Sequence, residues 1–340
     1  MNRMISRFVF VFNFLAGSAI MFAGHASGQA ANVEAGKKEG KVVVYGSVVP
    51  QAMEDFHKGF EAKYGIKVEY WRGDSTKVAD RAMSEWRAGK PGFDVVEGNR
   101  GVQLIMKSEG LFTKYIPPAS EKFPANVKEK DGLITPWRVL PVSIIYNTEM
   151  VKPADLPKTW DDLLQTKWLG KIAMPDPTRH TTTAQFLWNL EKFKKDKWLD
   201  YVKGLAKQKP VLVESLAPVT TAVIKGEAPV GITYVKYVKQ YKGPVHYVLM
   251  DKYLADPNYM AVGAKAANQN AAKLYVDYAC SVEGQKHVAE DGEFVFAPGV
   301  LPPIKDAEKV QPNIIFMDNP SADEFKKLMS GTFREIFYAK

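Results

Sequence analysis

A single cysteine, Cys280, occurs in the 340 residues, so no intramolecular disulfide can form and no CxxC redox or zinc motif exists. Histidine is also scarce: the five histidines, His25, His57, His180, His246 and His287, do not cluster. There is no HExxH, no Walker loop, no GxSxG and no GxGxxG following a strand, which removes the usual frames for metalloprotease, nucleotide, serine-hydrolase and dinucleotide chemistry. Internal repeats of about 20–50 residues and low-complexity segments are lacking too, so neither a solenoid nor a disordered arm is indicated. Beyond residue 30 no apolar run approaches the roughly 20 residues that a membrane span needs. Blocks of one charge sign are missing as well. The lysines behind the net charge of +8 are scattered, which favours anionic ligands weakly and says nothing for nucleic acid.

The front of the chain sets the compartment. Arg3 and Arg7 precede the run "FVFVFNFLAGSAIMFAG", and the small-residue stretch "HASGQA" follows; together they form the three-part pattern of a secretory signal peptide over residues 1–30. Cleavage is expected after Gly28 or Ala30, giving a soluble exported protein in the periplasm, with a lone amino-terminal anchor as the alternative. No cysteine near that point offers a lipid attachment site. Removing the segment leaves 340 − 30 = 310 residues and a charge of 8 − 2 = +6, ample for two domains.

What is present is a repeated strand and helix. "KVVVYGS" is a β-branched run, and "PQAMEDFHKGFEAKYG" follows with Met53, Phe56, Phe60 and Tyr64 at helical spacing. "IKVEYWRGD" leads into "STKVADRAMSEWRAGK", which opens on a hydroxyl cap and closes on Gly89; "FDVVEGN" leads into "RGVQLIMKSEG". Continuously apolar strands separated by single helices predict a parallel sheet covered on both faces, with ligand at the strand carboxyl ends. Pro136 and Pro141 break "LITPWRVLPVSIIYNTEM", which reads as a connection to a second lobe. There "KIAMPD", "PVLVES" and "PVGITY" are strands, with helices near 183–194 and 197–208. "PVHYVLMD" reads as the return crossing, and Cys280 as a small buried apolar residue at a helix end.

In that order the segments "EGKVVVYGS", "KYGIKVEYWRGDS", "GKPGFDVVEGN", "IIYNTEMV", "PKTWDDLLQTKWLGKIAMPDP" and "AAKLYVDYACSVEGQKHVAEDG" resemble the periplasmic solute-binding proteins of ABC importers, in the branch of the ferric-iron-binding and extracellular family 1 proteins. The resemblance covers essentially the whole mature chain. It implies an α/β, two-lobe type II periplasmic-binding-protein fold, each lobe a mostly parallel sheet flanked by helices and joined by two hinge crossings. Lobe 1 would comprise 36–137 and 251–340, and lobe 2 138–250. The cleft would close on a small-molecule solute and deliver it to an inner-membrane permease with its ATPase. The protein would be a monomer without cofactor, nucleic-acid partner or catalysis. A signalling receptor, and a Cys-dependent enzyme on the same fold, are the rival roles.

The stretch "KIAMPDPTRHTTT" carries the site expectation. A helix opening near Thr181 has unpaired N–H groups and a positive dipole end, beside Thr178, His180, Thr182 and the planar fork of Arg179. Other strand ends converge on the same cleft in this fold: Ser47; Asp74 and Ser75; Asn99 and Arg100; Arg138 on the crossing; Glu214 and Ser215; Tyr234 and Tyr237. Trp71, Trp137, Tyr45 and Tyr234 are candidates for a stacking wall or for core. Iron-binding relatives use adjacent tyrosines, a histidine in the first loop and a glutamate after the third strand. Here Lys236 replaces one tyrosine, the first loop has no histidine and Asn99 replaces the glutamate. The expectation is therefore a small oxyanion (carboxylate, phosphonate or phosphate ester), with ferric iron or its chelate as the alternative. Mass spectrometry of the exported protein should find its first residue at Gln29 or Ala31; a membrane-bound product retaining Met1 would contradict the cleavage reading.

Overall fold

The structure is a computed structural model that describes residues 31–338; the segment read as a signal peptide lies outside the described residues. Among the described residues eleven strands run β1 (Lys41–Gly46), β2 (Lys67–Arg72), β3 (Val95–Asn99), β4 (Thr135–Asn147), β5 (Ile172–Pro175), β6 (Val211–Val213), β7 (Val230–Tyr234), β8 (Val245–Tyr247), β9 (Tyr253–Val262), β10 (Phe294–Val295) and β11 (Ile314–Phe316). Their order is β2-β1-β3-β9-β4-β7-β5-β6, with β8 and β10 on β4 and β11 on β9. Two parallel triplets, β2-β1-β3 and β6-β5-β7, thus flank an antiparallel centre of β9 and β4. Each triplet belongs to one lobe.

The alternation in β1 explains the first lobe. Val42 and Val44 share a core with Phe56 and Phe60 of helix Pro50–Tyr64 and with Tyr275 and Tyr278 of helix Gln269–Cys280. Tyr45 points the other way, into a cluster with Val78 and Ala82 of helix Ser75–Arg87 and Met106 of helix Arg100–Ser108. A strand clothed on both faces has no room for polar side chains except at its ends. Trp137 and Tyr45 are core residues accordingly.

β4 corrects the reading of Pro136 and Pro141 as breaks. It is one strand of 13 residues that changes partner along its length. Pro136 stands at the register shift between Pro136 and Arg138, and Pro141 is the last residue paired with β9 before Val142 takes up β7. A residue without an N–H is tolerated where the ladder is interrupted or handed over. The return crossing is also corrected: 244–251 contributes β8 to the second lobe, and β9 makes the return. The expected helix at 183–194 divides into Thr181–Asn189 and Glu191–Lys194, followed by Trp198–Lys207.

The tail departs from the expectation that 251–340 returns wholly to the first lobe. After β11, the Asp318 amide donates to Asn189 Oδ1 at 2.8 Å and its carbonyl accepts from Asn189 Nδ2 at 2.9 Å. Buried Phe333 meets Trp198 with ring centroids 6.5 Å apart, and the Tyr338 hydroxyl donates to Asp176 at 2.6 Å. The first lobe's sheet is already covered on both faces, so the apolar residues of the tail find their partners on the second.

Gln285, fully buried, fastens the crossing to the helices behind it. Its Nε2 donates to the carbonyls of Trp137 and Ala279, and its Oε1 accepts from the amides of Phe296 at 2.8 Å and Ala297 at 2.7 Å. Replacement by an apolar side chain would orphan two buried N–H groups, each costing roughly 1–3 kcal/mol. Gln285→Leu should therefore lower unfolding stability by about 2–6 kcal/mol in urea titration; a loss within error of zero would contradict this account.

Candidate ligand-binding cleft

A cavity of about 660 Å³ opens between the lobes. Its floor is the centre of the sheet, where Arg138 pairs with Asn258 and Leu140 with Asp256 across β4 and β9. These four residues share one face because side chains alternate along a strand, and all four line the cavity. The walls come from the carboxyl ends of all six parallel strands, as the topology of open α/β sheets requires. The first lobe gives Ser47 after β1, Asp74 and Ser75 after β2, and Asn99 ending β3. The second lobe gives Arg179, His180, Thr181 and Thr182 after β5, Glu214 and Ser215 after β6, and Tyr234, Lys236 and Tyr237 at β7.

Two expected site residues fall outside. Arg100 does not line the cavity, because Glu129 Oε1 takes its Nη2 at 2.6 Å and its Nε at 3.1 Å. Thr178 is likewise excluded: its hydroxyl and amide both donate to Asp176 Oδ1, at 2.7 and 2.9 Å, closing a local turn. The residues missed by sequence include Arg72, Leu140, Leu216, Ala217, Asp256 and Asn258. The i, i+2 rule applied to Arg138 would have found Leu140; Asp256 and Asn258 were hidden because β9 begins earlier than its apolar run suggests.

Beneath the floor lies a buried chain of charges. Arg138 Nη1 donates to Glu293 Oε2 at 2.9 Å, and its Nη2 donates to Glu97 Oε1 at 2.8 Å and Asn258 Oδ1 at 3.0 Å. Lys236 Nζ donates to Glu293 Oε1 at 2.6 Å, and Ser47 gives Glu97 Oε2 both its amide at 2.6 Å and its hydroxyl at 2.8 Å. Against the desolvation that burial imposes, Arg138 and Lys236 hold the Glu293 carboxyl below its usual range. Two acids thus balance two bases. Arg138 and Lys236 reach the cavity with their charges already met, so the expected cationic pull from them is muted. At the rim Arg72, Lys77 and Arg179 are set against Asp74, Asp80 and Glu214, and the field there has no single sign either.

Besides the Arg138 Nε, which is buried without a partner, the unpaired donors are backbone amides at helix mouths. Helix Ser75–Arg87 is capped by Asp74, which accepts from the Lys77 amide at 3.0 Å. Helix Thr181–Asn189 is capped by His180, whose Nδ1 faces the Thr183 amide at 3.2 Å and hydroxyl at 2.8 Å. That acceptor role needs an unprotonated Nδ1, consistent with burial lowering the ring's pKa to about 4 despite Asp74 across the cleft. Helix Leu216–Ile224 differs: Ser215 at its start makes no capping bond, and Pro218 has no N–H. Among the described residues the amides of Thr181, Thr182, Leu216 and Ala217 make no hydrogen bond. All four residues line the cavity.

A two-lobed α/β frame whose strand ends enclose a polar, solvent-open cleft is the type II periplasmic binding fold. The chain belongs to the family described as bacterial extracellular solute-binding protein, whose model matches residues 90–313. Among solved structures, AfuA of Actinobacillus pleuropneumoniae with fructose 6-phosphate bound is 25% identical with a TM-score of 0.74, over 88% of this chain and 99% of that one. Iron-bound HitA of Pseudomonas aeruginosa, 20% identical with a TM-score of 0.69 over 87% and 99%, shares the fold. Among curated relatives, the probable ABC transporter periplasmic-binding protein y4fP of Sinorhizobium fredii is 27% identical over 130 residues, 38% of this chain and 36% of y4fP. An uncharacterized protein of Haemophilus influenzae is 25% identical over 81% of this chain and 82% of its own length. Among the described residues no helix is long and apolar enough to cross a membrane.

Asp256 is the floor carboxyl whose ionisation its surroundings shift towards neutral pH. Burial raises its carboxyl to about 7, although the Tyr234 hydroxyl and Arg138 favour the charged form. A folded-state value above the unfolded one, near 3.9, means that stability is fullest below the unfolded value and declines as pH rises through the window between the two. Asp256→Asn, which keeps an oxygen for Tyr234, escapes that decline. Its stability relative to the parent should rise between about pH 4 and pH 7 and then level off, read by urea titration at several pH values; a difference that does not vary with pH would contradict the assignment.

Proposed function

We propose that this protein is the periplasmic solute-binding component of an ABC import system and that its solute is a small oxyanion, foremost a phosphate ester. The carrying observation is the uncapped mouth of helix Leu216–Ile224, with the Ser215 hydroxyl beside it, opening on the same cavity as the Thr181 and Thr182 amides. Helix amino termini offer convergent N–H donors and a positive dipole end, which suits phosphate and carboxylate. Fructose 6-phosphate in the related AfuA belongs to that chemical class. Hydrogen bonds to a charged group contribute roughly 1.5–3 kcal/mol each and a micromolar solute requires about 8 kcal/mol net, so a few amides with Arg179 are enough even after the cost of closure.

Ferric iron is the alternative reading, and the cleft chemistry opposes it. Phenolate ligands would have to come from Tyr234 and Tyr237, whose hydroxyls burial pushes up, away from ionisation. The Lys236 ammonium stands between them in sequence and 5.3 Å from the Tyr237 ring. We take the protein to be an exported monomer without catalytic activity. The Cys280 thiol is buried, with its pKa raised by desolvation, and is absent from the cleft lining.

Calorimetry of the mature protein should detect binding of fructose 6-phosphate or inorganic phosphate. Arg179→Ala should weaken that binding tenfold or more, the equivalent of about 1.4 kcal/mol. Stabilisation by ferric citrate or a polyamine, with every oxyanion inert, would overturn the assignment; unchanged affinity in the variant would remove Arg179 from the site.

A further inference from the structure

The helix mouths account for an anion but leave one floor residue unexplained. Asp256 is 1% exposed and lines the cavity beside Asn258. Its Oδ2 accepts from the Tyr234 hydroxyl at 3.3 Å, while its Oδ1 is buried with no partner among the described residues. The acids beneath the floor are matched, Glu97 by Ser47 and Arg138, and Glu293 by Arg138 and Lys236. An unsatisfied buried acceptor costs stability, and one kept against an open cavity is a place for a donor to dock. Resting on the oxyanion reading above, we infer that Asp256 determines specificity by accepting a hydrogen bond from a hydroxyl or ammonium group at the other end of the solute. The solute is then bifunctional, an oxyanion at the helix mouths and a donor at the hinge floor.

The groups facing Asp256 support that role. Tyr234 on β7 occupies one oxygen, Arg138 on β4 commits its Nη1 and Nη2 to Glu293 and Glu97 while its Nε makes no hydrogen bond, and Glu97 on β3 repels a second negative charge. Asn258 on the same strand gives its amide to the Asp256 carbonyl at 3.5 Å and, from nearby, favours the charged carboxyl without meeting Oδ1 in a hydrogen bond. Lys236 is taken by Glu293. Among these described neighbours none supplies a donor to Oδ1. Because the carboxyl titrates near 7, a donor-bearing solute should gain on a donor-free analogue as pH rises through that value, when the oxygen becomes a charged acceptor. The phosphate's own ionisation near pH 6 is similar in glycerol 3-phosphate and n-propyl phosphate, so the change with pH is read from that pair.

The test is calorimetry of the mature protein at pH 6 and 8 with glycerol 3-phosphate, 2-aminoethyl phosphate and n-propyl phosphate, with inorganic phosphate as reference. At pH 8 the first two should bind at least tenfold more tightly than n-propyl phosphate, the gap should narrow at pH 6, and Asp256→Leu should reduce it to within about twofold. If that variant does not fold, the wild-type ratios at the two pH values decide. Equal affinities in the wild type, or a preference that survives Asp256→Leu, would overturn this inference while the oxyanion reading stands. Failure of all four compounds to bind would overturn both.

Discussion

Arg138 lies on the stretch of β4 that pairs with β9, and its guanidinium is shared by carboxylates arriving from two directions. Glu97 comes from β3 and is itself held by the residue after β1; Glu293 comes from just before β10 and also binds Lys236 of the second lobe. A buried guanidinium with one partner missing leaves an uncompensated charge, a loss on the order of 3–5 kcal/mol. The four charges are therefore tolerable only when β1, β3, β4, β10 and the end of β7 meet at one place. Ser47, Asn99, Arg138, Tyr234, Lys236 and Tyr237 hang from those strand ends, so a network that itself reaches the cavity at Ser47, Arg138 and Lys236 also fixes where the neighbouring cavity-lining groups stand.

The same constraint shapes how the lobes relate. β4 and β9 pass between them as paired antiparallel strands, and the tail adds a third tie through Asp318 and Asn189. The Lys236–Glu293 pair lies at this junction. Hinge closure of two lobes concentrates its dihedral change in a few residues at element ends, and the partner change at Pro141–Val142 supplies such a point without breaking either ladder.

Much of this was legible in the chain. Alternating apolar strands and capped helices disclose the parallel triplets, because that burial pattern is local and periodic. Strand ends then follow, and with them most cleft residues. What escaped was decided by partners distant in sequence. Pro136 and Pro141 look like breaks until β9 and β7 are seen to share β4 between them. The tail looks like part of the first lobe until Trp198 and Phe333 are seen to meet. Arg100 and Thr178 have the right chemistry at the right spacing, but Glu129 and Asp176 reach them first. Asp256 carries no signal at all in a sequence, because its peculiarity is the lack of a neighbour.

The balance of charge in the cleft bears on release as much as on capture. A cavity lined by unmatched lysines and arginines would hold anions by long-range attraction, screened by salt but little altered by opening. Here fixed acids cancel fixed bases both at the floor and at the rim, and affinity must come from directional contacts at short range. The cavity lining is divided: Thr181 and Leu216 follow β5 and β6, Ser47 and Ser75 follow β1 and β2, and Asp256 lies on β9 between them. Opening the cleft removes one set of contacts from the solute outright, and each is worth a kilocalorie or more. On the reading proposed above, a change of shape alone would alter affinity by orders of magnitude, which is the property that handing a solute onward requires.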